Sequence, residues 1–362
     1  MRILFITSSS INGGAQKHIM EMFKSLTALG HIVYLIAPSG WLVDELCVYN
    51  SRIYKVEVKA KSIPEIEKII DQVKPDITNT FILSGGVFGT FAWKKRKWGK
   101  LFVTVNNPVI YPGISIGGRI LYPHMYRWMS YYASAFLVKA DKVRDEVAGV
   151  IKNKRPVISI KNGIDFQVFN RDREYPDILA NSRIKEKDIV ITNVAALDIR
   201  KGQQYLIEAV TELHKNYPVQ LLLVGEGNDK ERLRNLVMKK GAENYIHFLG
   251  RRSDINVVLA NTRFFVLPSL HEGLPNALME AMAMGLPCIA ADVGGVSQLI
   301  DNGKDGIIVR PESAGEIQDA ITQLLNDTKY ERNIGERACL KMEKDYSQEV
   351  VSKELESIYL SF

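Results

Sequence analysis

Cysteine is scarce in this 362-residue chain, and the three present, Cys47, Cys288 and Cys339, stand far apart with no Cys-x-x-Cys pair. That spacing removes the usual sequence sign of a zinc or redox centre. Thiols in apolar or helical contexts are expected to be reduced, buried or inert, which suits a cytoplasmic compartment. Long apolar runs are lacking too, since no uninterrupted segment approaches the ~20 residues of a membrane span. The run that opens the chain, Ile3-Leu-Phe-Ile6, is too short for a signal peptide and reads as a buried strand. Nor does Gly-x-Gly-x-x-Gly occur between a strand and a helix, so a nicotinamide or flavin site loses its main support.

What is present describes an ordinary globular protein, with 46% hydrophobic and 24% charged residues. Its length favours about two domains. The net charge of +6 conceals an asymmetry: residues 1–160 carry 22 Lys/Arg against 11 Asp/Glu, and residues 161–362 carry 25 against 30. The basic half has its densest patch at Trp93-Lys-Lys-Arg-Lys-Trp-Gly-Lys100, followed by the aromatic stretch 122–132. Lys94, Lys95, Arg96 and Lys97 among aromatics suit an anionic membrane surface, where each cation contributes about 1 kcal/mol. The same patch would attract nucleic acid, and is equally the composition of a solvated helix end beside a packed aromatic face.

Short strand-like runs alternate with helix-length periodic segments. Strands are expected at 2–7, 31–37, 76–81, 101–105, 135–138 and 157–160, with helices at 15–29, 64–72, 86–97 and 140–151. Residues 162–188 read as a turn and linker. A second series then places strands at 189–197, 219–224, 245–248, 263–267, 287–290 and 306–309, and helices at 202–215, 229–240, 254–260 and 275–284. Helices over about 313–326, 329–343 and 346–360 close the chain. This alternation predicts an α/β protein of two doubly wound parallel sheets, with ligands beyond the carboxyl ends of the strands in an interdomain cleft.

The chemistry concentrates at Pro268-Ser-Leu-His-Glu-Gly-Leu-Pro-Asn-Ala-Leu-Met-Glu-Ala-Met-Ala-Met-Gly285. Pro275 suits a first helical position and Gly285 the left-handed residue past the end, so Glu272 precedes the helix and Glu280 lies in its second turn. The residues three and four away from Glu280 are Asn276, Ala277, Ala283 and Met284, none of them a cation. Glu280 is therefore either the wet edge of a core helix or a ligand-binding carboxylate. Two further loops between strand and helix suit anions: Gly13-Gly14, where backbone can approach closely, and Leu197-Asp-Ile-Arg-Lys-Gly202, where Arg200 and Lys201 can hold a diphosphate.

The order of Gly13-Gly14, Asn162-Gly-Ile-Asp165, Lys201-Gly202, Val224-Gly-Glu-Gly227, Phe248-Leu-Gly250, Glu272 to Glu280 and Gly294-Gly295 resembles the GT4-type retaining glycosyltransferases of the GT-B fold. The resemblance covers nearly the whole chain and is most specific at 268–296. It implies a hexosyltransferase-type enzyme of polysaccharide biosynthesis. Residues 1–165 would hold the acceptor, with the helix at 346–362 packed back on them, and residues 166–345 would bind the nucleotide-sugar. By resemblance, Glu280 binds the ribose. Glu272 and the backbone of Gly273, Leu274, Pro275 and Asn276 hold the transferred sugar and phosphate. Lys201 neutralises the leaving diphosphate, Gly14 belongs to the loop closing over it, and the backbone at Arg251 faces the base.

No Asp-x-Asp occurs in the chain, so a metal clamp has no visible ligands, and neither metal nor cofactor is expected. The implied partners are a nucleotide-sugar, by default a UDP-sugar, and a lipid-linked or cell-surface glycan acceptor at the inner membrane face, with no nucleic acid. Three positions depart from the family pattern. Ala196 stands where an arginine is usual, with Arg200 as its substitute. Asn106 replaces a histidine and can hydrogen-bond the sugar but cannot act as acid or base. Gln298 replaces an acidic residue, and His124 is read as a packed or surface histidine. A sugar-nucleotide epimerase and a non-catalytic nucleotide-sugar binder are the alternatives.

Overall fold

The structure is a computed structural model and describes residues 1–106, 109–110, 114–139, 141–180 and 184–362. Asn107 and Pro108, the first residue of the helix expected over 140–151, and residues 181–183 of the linker lie outside these. The chain divides into two compact units, Met1–Gly163 with Gln348–Phe362, and Ile164–Ser347.

The first unit runs β1 (Arg2–Thr7), α1 (Gly14–Ala28), β2 (Ile32–Ala37), α2 (Trp41–Glu45), β3 (Ile53–Lys55), α3 (Ile63–Val73), β4 (Ile77–Phe81) and α4 (Leu83–Arg96). It continues through β5 (Lys100–Val105), α5 (Ile116–Met129), β6 (Ala135–Val138), α6 (Asp141–Ile151) and β7 (Val157–Ser159). The strands pair in parallel in the order β3-β2-β1-β4-β5-β6-β7. Both faces are buried, as a wholly parallel sheet requires. Leu4, Ile6 and Ile36 meet Ile66, Ile69, Ile70 and Val73 of α3 on one face. Ile3, Phe5, Phe81, Phe102 and Leu137 meet Ile19, Met22, Phe23 and Leu26 of α1 on the other.

The second unit runs β8 (Ile189–Val194), α7 (Gln203–Leu213), β9 (Val219–Val224), α8 (Lys230–Lys239), β10 (Ile246–Gly250), α9 (Ile255–Ala260) and β11 (Phe264–Leu267). After these come α10 (Asn276–Ala283), β12 (Cys288–Ala291), α11 (Val296–Leu299), β13 (Ile307–Val309), α12 (Ala314–Asn326) and α13 (Thr328–Tyr346). Its parallel order is β10-β9-β8-β11-β12-β13. Phe264, Val266 and Ile289 pack into the cluster with α7 and α12, while Phe265, Leu267 and Cys288 pack with α10 and α13 on the opposite face.

The last helix, α14 (Gln348–Leu360), belongs to the first unit. Asn79 on β4 donates to the buried Tyr359 hydroxyl at 2.7 Å and accepts from Thr104 at 2.9 Å. The Tyr359 ring meets Phe102 edge to face, with centroids 4.9 Å apart.

Some sequence expectations need correction. Strand β3 and the short helices α2 and α11 were not expected, and of α5 only the helical setting of His124 was. The strand expected over 189–197 ends at Val194 because Ala195–Asp198 turn away as a loop. Pro275 is the residue before α10 rather than its first residue, while Gly285 does adopt the left-handed conformation, at φ +72°. Cys288 and Cys339 are buried but Cys47 is exposed, so burial accounts for the inertness of only two thiols. Burial raises both buried thiols, Cys339 to about 11.

Candidate functional site

In each unit the strand order reverses between the two strands that follow one another at its centre, β1 and β4 in the first, β8 and β11 in the second. Loops at such a point diverge to opposite sides of the sheet and leave a crevice beyond the carboxyl ends of the strands. In the second unit the loop after β8 carries Arg200 and Lys201, and the loop after β11 carries Glu272.

These two loops are joined by both backbone and side chains. The N–H groups of Leu270 and His271 donate to the Arg200 carbonyl at 2.7 and 3.3 Å. The Lys201 ammonium donates to Glu272 Oε1 at 2.7 Å, and the Ser269 hydroxyl donates to the same oxygen at 2.6 Å. The Glu272 side chain is 8% exposed and that of Lys201 24%. A carboxylate this enclosed needs such donors, because burial without them costs about 1–3 kcal/mol or more for a charge.

Glycines set the spacing of these loops. At Gly202, φ is +63° and a Cβ would lie 2.1 Å from the Pro268 carbonyl oxygen. At Gly294, φ is +58° and a Cβ would lie 2.0 Å from the Glu272 carbonyl oxygen. Gly295 donates its N–H to the Gly273 carbonyl at 2.7 Å. The Lys201-Gly202 and Gly294-Gly295 pairs therefore let three chain segments approach closely around Glu272.

Helix α10 begins without a side-chain cap and with no acidic residue in its first turn. At such a helix start the dipole favours negative charge. Glu280 lies on this helix and is partly buried. Gly273, Leu274, Pro275 and Asn276 form the approach to it, with Leu274 partly buried against the α10 core. Arg251 is exposed just beyond β10.

Arg200 has a different role from a free phosphate holder. Its guanidinium makes two hydrogen bonds to Asp198, at 2.8 and 3.0 Å, and holds that carboxyl down to about 2. Substitution for the arginine missing at Ala196 would require Arg200 to leave Asp198. Sequence reasoning also passed over Ser269 and Gln203. Buried Gln203 opens α7 and donates to the Ala196 carbonyl at 2.9 Å, fixing the loop before Lys201. Their signal was only adjacency to the motif residues.

Gly13, Gly14 and Asn106 lie in the first unit, beyond the carboxyl ends of β1 and β5. A Cβ on Gly14 would meet nothing within 4 Å. Asn106 has both side-chain amide atoms buried without a hydrogen-bond partner. His124 is exposed on α5. Lys94–Lys97 lie at the end of α4 that leads into the amino end of β5, the edge of the sheet opposite Asn106. Lys95 pairs with Glu67 at 2.8 Å, Arg96 with Glu67 and Asp71 at 3.2 Å, and Lys94 lies over the Tyr132 ring. Among the described residues no cluster of three or more His, Cys, Asp or Glu is placed to hold a metal, and no helix is long and apolar enough to cross a membrane.

Known proteins give a consistent context. Residues 12–168 match the family described as Glycosyltransferase Family 4, and residues 174–340 that described as Glycosyl transferases group 1. The chain is 27% identical to the N-acetyl-alpha-D-glucosaminyl L-malate synthase of Bacillus anthracis over 59% of its own length and 56% of the relative's. It is 24% identical to the N,N'-diacetylbacillosaminyl-diphospho-undecaprenol alpha-1,3-N-acetylgalactosaminyltransferase of Campylobacter jejuni, over 99% and 98% of the two chains. The chain spans 51–62% of the length of several curated relatives it matches. Anabaena HepE, solved with UDP, superposes with a TM-score of 0.84 at 18% identity over the whole of both chains. Its UDP-glucose complex superposes at 0.82, again with 18% identity and full coverage of both. With its two parallel-sheet Rossmann-like units, the chain belongs to the GT4-type glycosyltransferases of the GT-B fold.

Proposed function

We propose that this protein is a metal-independent, configuration-retaining hexosyltransferase that moves a sugar from a UDP-sugar to a lipid-linked or cell-surface glycan acceptor. The observation that carries the reading is the Lys201–Glu272 pair beside the uncapped start of α10, with Glu280 farther along that helix. A diphosphate seated there meets an ammonium and the positive end of the α10 dipole, and Glu280 holds the ribose hydroxyls. As the bond from the anomeric carbon to the phosphate oxygen breaks, charge grows on the phosphate where these fixed dipoles already point. The acceptor oxygen forms the new bond on the same face and passes its proton to the departing phosphate. Lys201 is shared in this scheme, moving from Glu272 toward the phosphate as Glu272 turns to the sugar hydroxyls.

The complexes of the Anabaena structure support a uridine donor, and the diphospho-undecaprenol of the Campylobacter relative's name supports a lipid-linked acceptor. Work at the cytoplasmic face of a membrane fits the basic end of α4, together with Ile116, Ile120 and Leu121 exposed on α5. Lys94–Lys97 would serve there as a surface anchor, at the edge of the sheet opposite Asn106.

A panel of UDP- and GDP-sugars tested for stabilisation of the fold decides the donor, since a ligand at 100 times its Kd adds about 2.7 kcal/mol. UDP-sugars should stabilise the parent and leave Glu280→Ala unmoved. An equal shift in that variant would remove Glu280 from the site. Transfer abolished by chelation and restored by a divalent cation would overturn metal independence.

A further inference from the structure

The carboxyl edge of the first sheet carries a second polar cluster, on the face covered by α1 and α14. Phe102 of β5 and Ala135 and Leu137 of β6 share one apolar cluster with Ile19, Met22 and Phe23 of α1. Alternation along each strand carries that face to Asn106 and Lys139. The parallel register pairs Thr104 with Leu137 and Val105 with Val138, so the next step sets Asn106 beside Lys139. His18, 4% exposed on the buried side of α1, is near enough for the Lys139 ammonium to disfavour its protonation.

These groups lack compensation. His18 Nε2 and both amide atoms of Asn106 are buried without hydrogen-bond partners. Lys139 is partly open to solvent, yet desolvation brings it down to about 8, an effect that the Glu21 carboxylate only partly offsets. A lysine held in a satisfied ion pair would move the other way. Asp141, the next carboxylate along the chain, accepts from Ser159 and pairs with Arg144. A partly open cation beside unused hydrogen-bonding groups suits an oxyanion, whereas a neutral sugar hydroxyl would need no ammonium.

We propose that Lys139, with Asn106 and His18, seats an anionic group of the acceptor, a phosphate or a carboxylate. The ammonium supplies the charge, and the Asn106 amide and the neutral His18 ring fix the orientation. The proposal rests on the reading of the first unit as the acceptor's, and it narrows the acceptor to one that carries a phosphate or a carboxylate.

Lysine-selective acetylation of the full chain, quantified residue by residue by peptide mass spectrometry, tests it. Inorganic phosphate, malonate and UDP are added in separate arms at ionic strength matched with sodium chloride. Lys139 labelling should slow about tenfold, equivalent to 1.4 kcal/mol of protection, in the phosphate or the malonate arm. Protection by phosphate alone assigns a phosphorylated acceptor, and by malonate alone a carboxylate. Asn106→Ala and His18→Ala, checked for folding by circular dichroism, should each weaken the protection. Equal labelling in all arms, or a Lys139 that never reacts because it is closed to solvent, overturns the proposal. UDP should protect Lys201 in the same experiment. Loss of that effect with Lys139 still protected would sink the donor reading and leave the anion seat standing.

Discussion

Lys201 and Glu272, 71 residues apart in sequence, are joined by a 2.7 Å hydrogen bond between the loops that follow β8 and β11. The pair joins the two groups that the proposed reaction separates. Removing Lys201 leaves Glu272 with the Ser269 hydroxyl as its side-chain donor among the described residues, in a setting that is enclosed but not dry. Lys201→Met should therefore cost roughly 1–3 kcal/mol in urea unfolding, below the loss for a fully buried pair. Adding Glu272→Gln should recover much of that stability while UDP stabilisation stays lost. A double variant that still binds UDP as the parent does would remove Lys201 from the phosphate site.

The glycines of the two units should behave oppositely. Gly202→Ala and Gly294→Ala place a Cβ near 2 Å from a carbonyl oxygen at positive φ, so each should cost more than about 1 kcal/mol in thermal or urea unfolding. Gly14→Ala meets open space and should leave stability unchanged. Its effect should appear in transfer rate alone. A destabilised Gly14→Ala would assign that glycine to the fold.

Most strands were legible because a parallel sheet buried on both faces demands short continuous apolar runs. What escaped had a physical reason in each case. Helix α5 contains Gly117, Gly118 and Pro123, which erase the helical signal, and β3 is three residues long. The Arg200–Asp198 pair was missed because two adjacent cations in a loop look alike until one has a partner. Lys201 and Glu272 were linked beforehand by family resemblance, as no periodicity relates residues so distant. Lys139 and His18 drew no notice, since a lone titratable group in an apolar run looks like an ordinary packed residue. The register of β5 against β6, carried one residue past its last pair of Val105 with Val138, brings Lys139 beside Asn106.

The hydroxyl of Tyr359 anchors α14 to the sheet through Asn79. Tyr359→Phe keeps the ring against Phe102 but leaves the Asn79 amide without its acceptor in a buried site. A loss of roughly 1–3 kcal/mol is expected in urea unfolding. Adding Asn79→Val, which also takes the acceptor from Thr104, should cost less than the sum of the two single changes, because neither member of the Asn79–Tyr359 pair is then stranded. Additive losses would mean that the Asn79–Tyr359 bond contributes nothing to docking the last helix.

Lys139 makes stability depend on pH in a direction that can be worked out. Its ordinary value is 10.5 and burial in the fold lowers it to about 8, so between those values the unfolded chain binds more protons than the folded one. Stability from this group therefore rises with pH across that window, and below about pH 8 the full penalty of holding the charge is present. Lys139→Met removes the penalty. The variant should be more stable than the parent at pH 7, and its advantage should shrink as pH climbs from 8 toward 10.5, measured by urea unfolding at each pH. Lys139→Arg, which keeps the charge throughout, should show no such gain. A phosphate or malonate ion that seats on the ammonium should stabilise the parent at pH 7 and leave Lys139→Met unmoved. A methionine variant less stable than the parent at pH 7 would mean that Glu21 already satisfies the lysine and that the cluster is structural.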